Sequence, residues 1–361
     1  APVSEADAAA FLRSLGPGGA VMLKAVAGGG GRGMRVVGAG DDLAVAFARC
    51  QAEATAAFGD DALYLETFIP AARHIEVQVL GDRAGNVAHL WERECSLQRQ
   101  RQKLIEIAPA PVLAAGVRAR LLAAAVAIAR EAQLDNLATI EFLVDASGAA
   151  TDDVAAIAFI QANARLQVEH TVTEAVTGLD LVELQLRLAD GVTLASLNLD
   201  EPPPARGMAL QARVNMETMT ADGTARPAGG RFTAFDPPTG PGVRVDHAGY
   251  AGLAPSPRYD SLIAKVIVHA RSGGMPAVAQ KARRALAEFR IEGVRTNAAF
   301  LEALLADPAV RAGAVDTTFI AGAAGALIGA AAEPRRFFEA APGAAGGRAG
   351  ARIDAADPLA V

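Results

Sequence analysis

Residues 160–169 alternate without a break: Gln161, Asn163, Arg165, Gln167 and Glu169 interleave with Ile160, Ala162, Ala164, Leu166 and Val168. Side chains of an extended chain point alternately to opposite faces, so the run predicts a strand with polar groups on one side and aliphatics on the other. A plain half-exposed strand usually carries Thr, Lys, Ser and Glu on its wet face. Here that face holds three amides, a guanidinium and a carboxylate, and it leads into His170-Thr171-Val172-Thr173-Glu174. Such groups side by side can bind a metal, hold an anion and accept a proton.

The rest of the chain supplies partners for such a strand. A short helix is expected over Ala6–Leu15, a strand over Ala20–Lys24, a second over Met34–Val37 and a helix over Asp41–Phe58. Ala62–Phe68, His74–Leu80 and Asn86–Glu92 read as strands, the last two joined by a Gly81–Gly85 turn. A long amphipathic helix follows at Val117–Gln133, then an extended run at Ala138–Val144 and a helix at Leu179–Ala189. Glu201-Pro202-Pro203-Pro204 cannot continue a helix and reads as a linker. Beyond it lie strands at Met208–Asn215, Gly242–Val245 and Ile263–Val268, and helices at Ala277–Phe289 and Asn297–Leu305. Strands in hairpin-like pairs mixed with helices predict an α+β fold rather than a doubly wound sheet. From Ala321 the Ala/Gly repetition shows no amphipathic face, and residues 326–361 are expected to be a flexible linker.

Composition narrows the function. A net charge of −6 and a pI near 5.5 exclude a nucleic-acid binder held by a broad basic surface. No apolar run reaches the length of a membrane span, so no membrane partner is expected. Cys50 and Cys95 are too few for a disulfide framework or a cysteine-built zinc site, which suits a reducing, cytoplasmic setting.

Three further segments carry chemistry. Gly28-Gly29-Gly30-Gly31-Arg32-Gly33-Met34 sits between two expected strands, four residues after Lys24, where glycines let backbone N–H groups approach a phosphate. Lys24 and Arg32 can neutralise its charge. The run from Glu92 to Lys103 is either a solvated charge cluster or an anion site built from Gln98, Arg99, Arg101, Gln102 and Lys103. Glu141, between Ile140 and Phe142, would lie beside Gln161 and Asn163 if the two strands pair, making an oxygen-rich site suited to Mg²⁺.

In this order, the glycine loop, Arg73-His74-Ile75-Glu76-Val77-Gln78-Val79, the Glu92–Lys103 run, Arg165–Glu174, and Tyr259-Asp260-Ser261 with Lys265 resemble biotin carboxylases. These are the ATP-grasp components of biotin-dependent carboxylases, and the resemblance runs from about Pro2 to Ile320. It implies an ATP-grasp lid over 1–66, a central ATP-grasp domain with an antiparallel sheet over 67–200 and a biotin carboxylase C-terminal domain over 201–325. ATP would meet Lys24, Gly28, Gly29, Gly30, Gly31, Gly33, Met34, Glu66, Phe68, His74 and Gln98. Mg²⁺ or Mn²⁺ would be held by Glu141, position 161 and Asn163. Bicarbonate would be held by Lys103, Arg165, Gln167 and Val168 and deprotonated by Glu169, while Arg244 would stabilise the biotin oxyanion. Implied partners are a biotinyl carrier domain and a carboxyltransferase, a homo-oligomeric mate, and an N-terminal α/β lobe supplied upstream or in trans.

The sequence departs from the family pattern at Gln161, normally Glu, at Gln100, where Arg is common, and at Ala162, usually Met. Gln161 keeps the size of the ligand and removes its charge. Two alternatives follow: another ATP-grasp ligase forming an acyl phosphate, of the carbamoyl-phosphate synthetase type, or an impaired scaffold that retains nucleotide binding.

Overall fold

The computed structural model describes residues 2–27, 33–145, 157–220, 223–256, 259–330 and 335. The chain opens with α1 (Glu5–Ser14), whose N-terminus is closed by a reciprocal capping box between Ser4 and Asp7. Strands β1 (Ala20–Ala25) and β2 (Met34–Gly38) precede α2 (Leu43–Phe58) and β3 (Leu63–Thr67). These strands form a separate antiparallel sheet in the order β2-β1-β3. Phe47, Cys50 and Ala54, at helical spacing on α2, close over Val21, Leu23, Val37 and Leu63. Residues 28–32 of the expected glycine loop lie outside the described residues.

Next come β4 (Ala72–Gly81), β5 (Val87–Arg99), β6 (Gln102–Ala108), α3 (Ala115–Glu131), β7 (Asn136–Asp145) and β8 (Ile157–Asn163). Helices α4 (His170–Thr177) and α5 (Leu181–Ala189) lead to β9 (Met208–Asn215) and the short hairpin of β10 (Glu217–Met219) and β11 (Ala225–Pro227). The C-terminal part holds β12 (Ala234–Asp236), β13 (Val243–His247), β14 (Leu262–Ala270), α6 (Gly274–Glu288), β15 (Arg290–Glu292), α7 (Ala298–Ala306), α8 (Pro308–Ala312) and α9 (Phe319–Gly329). One eight-stranded sheet runs β13-β14-β9-β6-β5-β4-β7-β8. Every adjacent pair in it is antiparallel, so the fold is α+β, as the hairpin-like pairing predicts.

One face of this sheet is apolar. Ile75, Val77, Val79, Ala138, Ile140 and Phe142 pack beneath Val117, Leu121 and Ala125 of α3. At the other end Ile105, Leu210, Ala212 and Val266 pack beneath Val278, Ala282 and Ala285 of α6. Residues of opposite parity therefore emerge on the far face: His74, Glu76 and Gln78 from β4, Thr139 and Glu141 from β7, Gln211 and Arg213 from β9. Helix α4 covers part of that face, with Val172 and Val176 against Ala108 and Ala209. A polar layer is thus trapped between sheet and helix, and every residue of β4 is buried.

Two expectations change, and one of two open readings falls away. The strand ends at Asn163 rather than continuing to Glu169. Beyond Asn163 the chain turns back, burying Gln167 and Glu169 and starting α4 at His170. The Glu92–Lys103 run is no solvated cluster: Glu92 to Arg99 are buried in β5, Gln100 and Arg101 form a tight turn with positive φ, and Lys103 lies on β6. The linker cannot begin at 326, because α9 continues to Gly329 and buries Ile320, Ala324 and Leu327. Their spacing of four and three is one helical face, hard to see among alanines and glycines. The remainder of the 326–361 segment, apart from Ala330 and Arg335, lies outside the described residues. Among the described residues, no helix is long and apolar enough to cross a membrane.

Candidate active site

Strand register assembles the polar layer. Glu76 stands opposite both Arg93 and Glu141, and Glu141 stands opposite Gln161. Arg93 is fully buried and spends all five N–H groups: Nε on Glu76 (2.5 Å), Nη1 on Gln78 (2.9 Å) and Thr173 (3.0 Å), Nη2 on Thr139 (3.1 Å) and Gln167 (3.4 Å). A buried guanidinium this completely satisfied is a fixed piece of the floor.

Lys103 is the hub of the layer. Its Nζ lies 2.6 Å from Glu76 Oε2, 2.5 Å from Glu169 Oε1 and 3.5 Å from Glu141 Oε1. Burial disfavours its charge, but Glu76 and the other carboxylates outweigh that, pushing the ammonium pKa well above its ordinary value. Burial likewise opposes the charge on Glu76, yet Lys103 and Arg93 hold its carboxyl at about 2. Glu141 is lowered too: burial raises it, while the close approach of His74 and the charge of Lys103 win.

Glu169, just ahead of α4, is buried between two cations. Lys103 meets Oε1 and Arg213 Nη2 donates to Oε2 at 2.9 Å. Arg213 is anchored from behind by Glu106, whose Oε1 accepts from its Nε at 2.5 Å. Glu106 and Arg213 were not singled out in the sequence. The signal was present, since Gln211, Arg213 and Asn215 alternate with Ala212 and Val214 in the period that marks residues 160–163. Glu76 lay within the Arg73–Val79 motif, but no role was attached to it.

The expected metal ligands converge. Gln161 Nε2 donates to Glu141 Oε2 at 2.9 Å, Asn163 Nδ2 to Oε1 at 2.8 Å, and Gln167 Nε2 to Oε1 at 2.9 Å. A half-turn of the first two amides would present their oxygens beside the carboxylate. The set therefore fits a hard divalent cation that brings further oxygen ligands of its own, with one protein carboxylate rather than two.

Other expected residues lie apart. Arg165 is exposed, and its Nη1 donates to the Leu166 carbonyl at 3.3 Å; it does not touch Glu169. Arg244, half-exposed on β13, is held by Glu174 Oε2 (2.7 Å) and Asp246 (2.7 and 2.9 Å). Val168 is partly exposed and its carbonyl accepts from Lys265 Nζ at 3.2 Å. In the lid, Lys24 pairs with Glu66 and lies across β1 and β2 from Met34, with Gly33 turning the chain at φ 64°. Phe68 is half-buried where β3 ends. Gln98 Nε2 lies 2.5 Å from His74 Nδ1, and His74 Nε2 lies 3.2 Å from Glu141 Oε2. That contact misses hydrogen-bond alignment, so the imidazole keeps one buried nitrogen without a bonded partner.

A small antiparallel sheet beside a large antiparallel sheet with a buried carboxylate–lysine centre fits the ATP-grasp fold. Residues 3–197 match the family described as carbamoyl-phosphate synthase L chain, ATP binding domain, and residues 211–322 match the biotin carboxylase C-terminal domain. The chain is 48% identical over 322 residues to pyruvate carboxylase 1 of Caenorhabditis elegans, covering 88% of this chain and 26% of that protein. It is 46% identical over 302 residues to human mitochondrial pyruvate carboxylase, covering 83% and 25%. The biotin carboxylase domain dimer of Hydrogenobacter thermophilus 2-oxoglutarate carboxylase, solved with MgADP, ADP and bicarbonate, superposes with a TM-score of 0.80 at 36% identity, covering 91% of this chain and 69% of that one. A Campylobacter jejuni biotin carboxylase complex gives 0.81 at 37%, covering 89% and 68%. The chain belongs to the biotin carboxylase family. It spans about a quarter of the length of the curated relatives it matches.

Proposed function

We propose that this chain performs the ATP-dependent carboxylation of biotin by bicarbonate, the first half-reaction of a biotin-dependent carboxylase. The observation that carries this reading is Glu169, a carboxylate buried between Lys103 and Arg213 and one lysine away from Glu141. Bicarbonate is a weak nucleophile, so a base has to remove its proton while cations hold the dianion. Glu169 takes that proton; Lys103, Gln167, the Val168 backbone and Arg165, swung inward from its exposed position, hold the anion. The freed oxygen attacks the γ-phosphorus of ATP, ADP leaves, and carboxyphosphate forms. Its C–O bond to phosphate then breaks, giving CO₂ and phosphate; phosphate takes the N1′ proton of biotin, and N1′ bonds to CO₂. Arg244 faces the developing biotin oxyanion.

In this reading a Mg²⁺ or Mn²⁺ ion at Glu141, Gln161 and Asn163 neutralises phosphate charge when bound. Residues 1–66 close over ATP, bringing Lys24, Glu66, Phe68 and the glycine loop Gly28–Gly33 with Met34 to the nucleotide, while His74 and Gln98 meet the ribose. Residues 67–200 and 201–325 form the central and C-terminal domains. A biotinyl carrier and a carboxyltransferase are the partners, an N-terminal lobe completes the ATP site, and a second copy forms a dimer. The cytoplasm keeps buried Cys50 and Cys95 as free thiols, although the human relative is mitochondrial; cell fractionation tests this placement. The function is tested by ADP release with bicarbonate and free biotin each present or absent. It is expected to require bicarbonate and to rise with biotin.

The second reading is a carbamoyl-phosphate-type ligase, supported by the family description that covers residues 3–197. Ammonia-dependent ATP cleavage without a response to biotin would select it.

A further inference from the structure

Glu169 cannot accept a proton while both its oxygens are held by cations, so one partner has to let go. We propose that Arg213, locked by Glu106, is the permanent anchor of Glu169, and that Lys103 is the exchangeable partner that hands Oε1 to bicarbonate. This rests on Glu169 being the base.

The two cations differ in how they are held. Lys103 contacts Glu76 and Glu141 as well as Glu169, and an ammonium carries three donors that turn about the side-chain axis. Releasing Glu169 leaves it neutralised by the other two. Arg213 is a planar fork whose Nε and Nη2 both address Glu106 Oε1, each at 2.5 Å, while Nη2 also reaches Glu169 Oε2. Glu106 is fully buried, and its Oε2 accepts from Gln211 Nε2 at 2.9 Å. Gln211 in turn accepts from the Thr171 hydroxyl, two residues past Glu169 on α4. The chain Thr171–Gln211–Glu106–Arg213 therefore ties the guanidinium to the helix that begins beside the base.

Glu106 also answers a charge problem. When the bicarbonate O–H breaks, its proton goes to Glu169 Oε1 and the electron pair stays on the oxygen that attacks phosphorus. Glu169 is then neutral. Without Glu106, Arg213 would be a largely buried guanidinium with no counter-charge at that moment. The other ionisable groups around Glu169 are Glu76 from β4 and Arg93 and Cys95 from β5. Arg213 is thus a positioning residue that acts through Glu169.

The test is bicarbonate-dependent ATP cleavage by the intact protein, comparing wild type with Arg213→Gln, Arg213→Lys and Glu106→Gln. Arg213→Gln is expected to lower kcat about 100-fold, in line with losing an oriented base, with KM for bicarbonate changed less than about threefold. Arg213→Lys should recover part of kcat, and Glu106→Gln should fall between. If Arg213→Gln proves too unstable to assay, the last two variants decide. A wild-type kcat in the assayable variants would overturn the proposal. So would a change confined to KM, which would make Arg213 a substrate clamp. Wild-type protein lacking bicarbonate-dependent cleavage would instead refute the proposed function itself.

Discussion

Replacing Lys103 by Met removes the one ammonium shared by Glu76, Glu141 and Glu169, and its cost follows from their burial. Glu76 is held at about 2 against an ordinary 4.5. Breaking one partner of a buried pair costs about 3–5 kcal/mol in general, so a loss of about 2–4 kcal/mol is expected at pH 8. The pH dependence is the sharper signature. With Lys103 in place, the stability from Glu76 is complete above its unfolded value near 4.5 and is lost as pH falls toward 2. Without it, the crowded carboxylates take up a proton, and at least one acquires a folded pKa above its unfolded one. Stability from such a group is present at low pH and is lost as pH rises through the folded pKa. The deficit of Lys103→Met should therefore grow between pH 5 and pH 8, by up to about 1.4 kcal/mol per pH unit for one proton. Urea unfolding of both proteins across that range measures it. A deficit below about 1 kcal/mol with no slope would refute the hub assigned to Lys103.

Gln161→Glu restores a second anionic oxygen beside Glu141, so half-saturation of ATP cleavage by Mg²⁺ should fall and kcat rise; identical Mg²⁺ curves would show that position 161 is not a ligand. Arg93→Met leaves Glu76, Gln78, Thr139, Thr173 and Gln167 short of a donor, and should cost about 3–5 kcal/mol in urea unfolding. A loss within about 0.5 kcal/mol, as for an ordinary surface change, would contradict the floor described for the site. Gly81→Ala would set a Cβ 1.9 Å from the Leu134 carbonyl, so a thermal midpoint lowered by several degrees is expected, and an unchanged midpoint would count against this β4–β7 geometry.

The main strands were legible because one face is aliphatic and the period is two: β9 was expected over Met208–Asn215, and that is where it lies. Convergence of Glu141, Gln161 and Asn163 was legible for the same reason, since alternation fixes the face once two strands pair. The turn after Asn163 was not. Ala164, Leu166 and Val168 continue the alternating pattern, while the chain is drawn off the sheet by side chains distant in sequence. Gln167 is claimed by Glu141 and Glu169 by Lys103 and Arg213. Arg213 escaped notice because its meaning depends on Glu106, 107 residues away in sequence. Period-two patterning shows which face a residue shares, and only strand order shows what stands opposite it.

In the proposed reaction bicarbonate, activated at Glu169, attacks ATP. Running the reaction with ¹⁸O-labelled bicarbonate and analysing the released phosphate by mass spectrometry follows that oxygen. The attacking oxygen stays on phosphorus when CO₂ departs, so one label per phosphate formed is predicted. Phosphate that carries no label would mean that water cleaves the ATP, and would contradict the role given to Glu169.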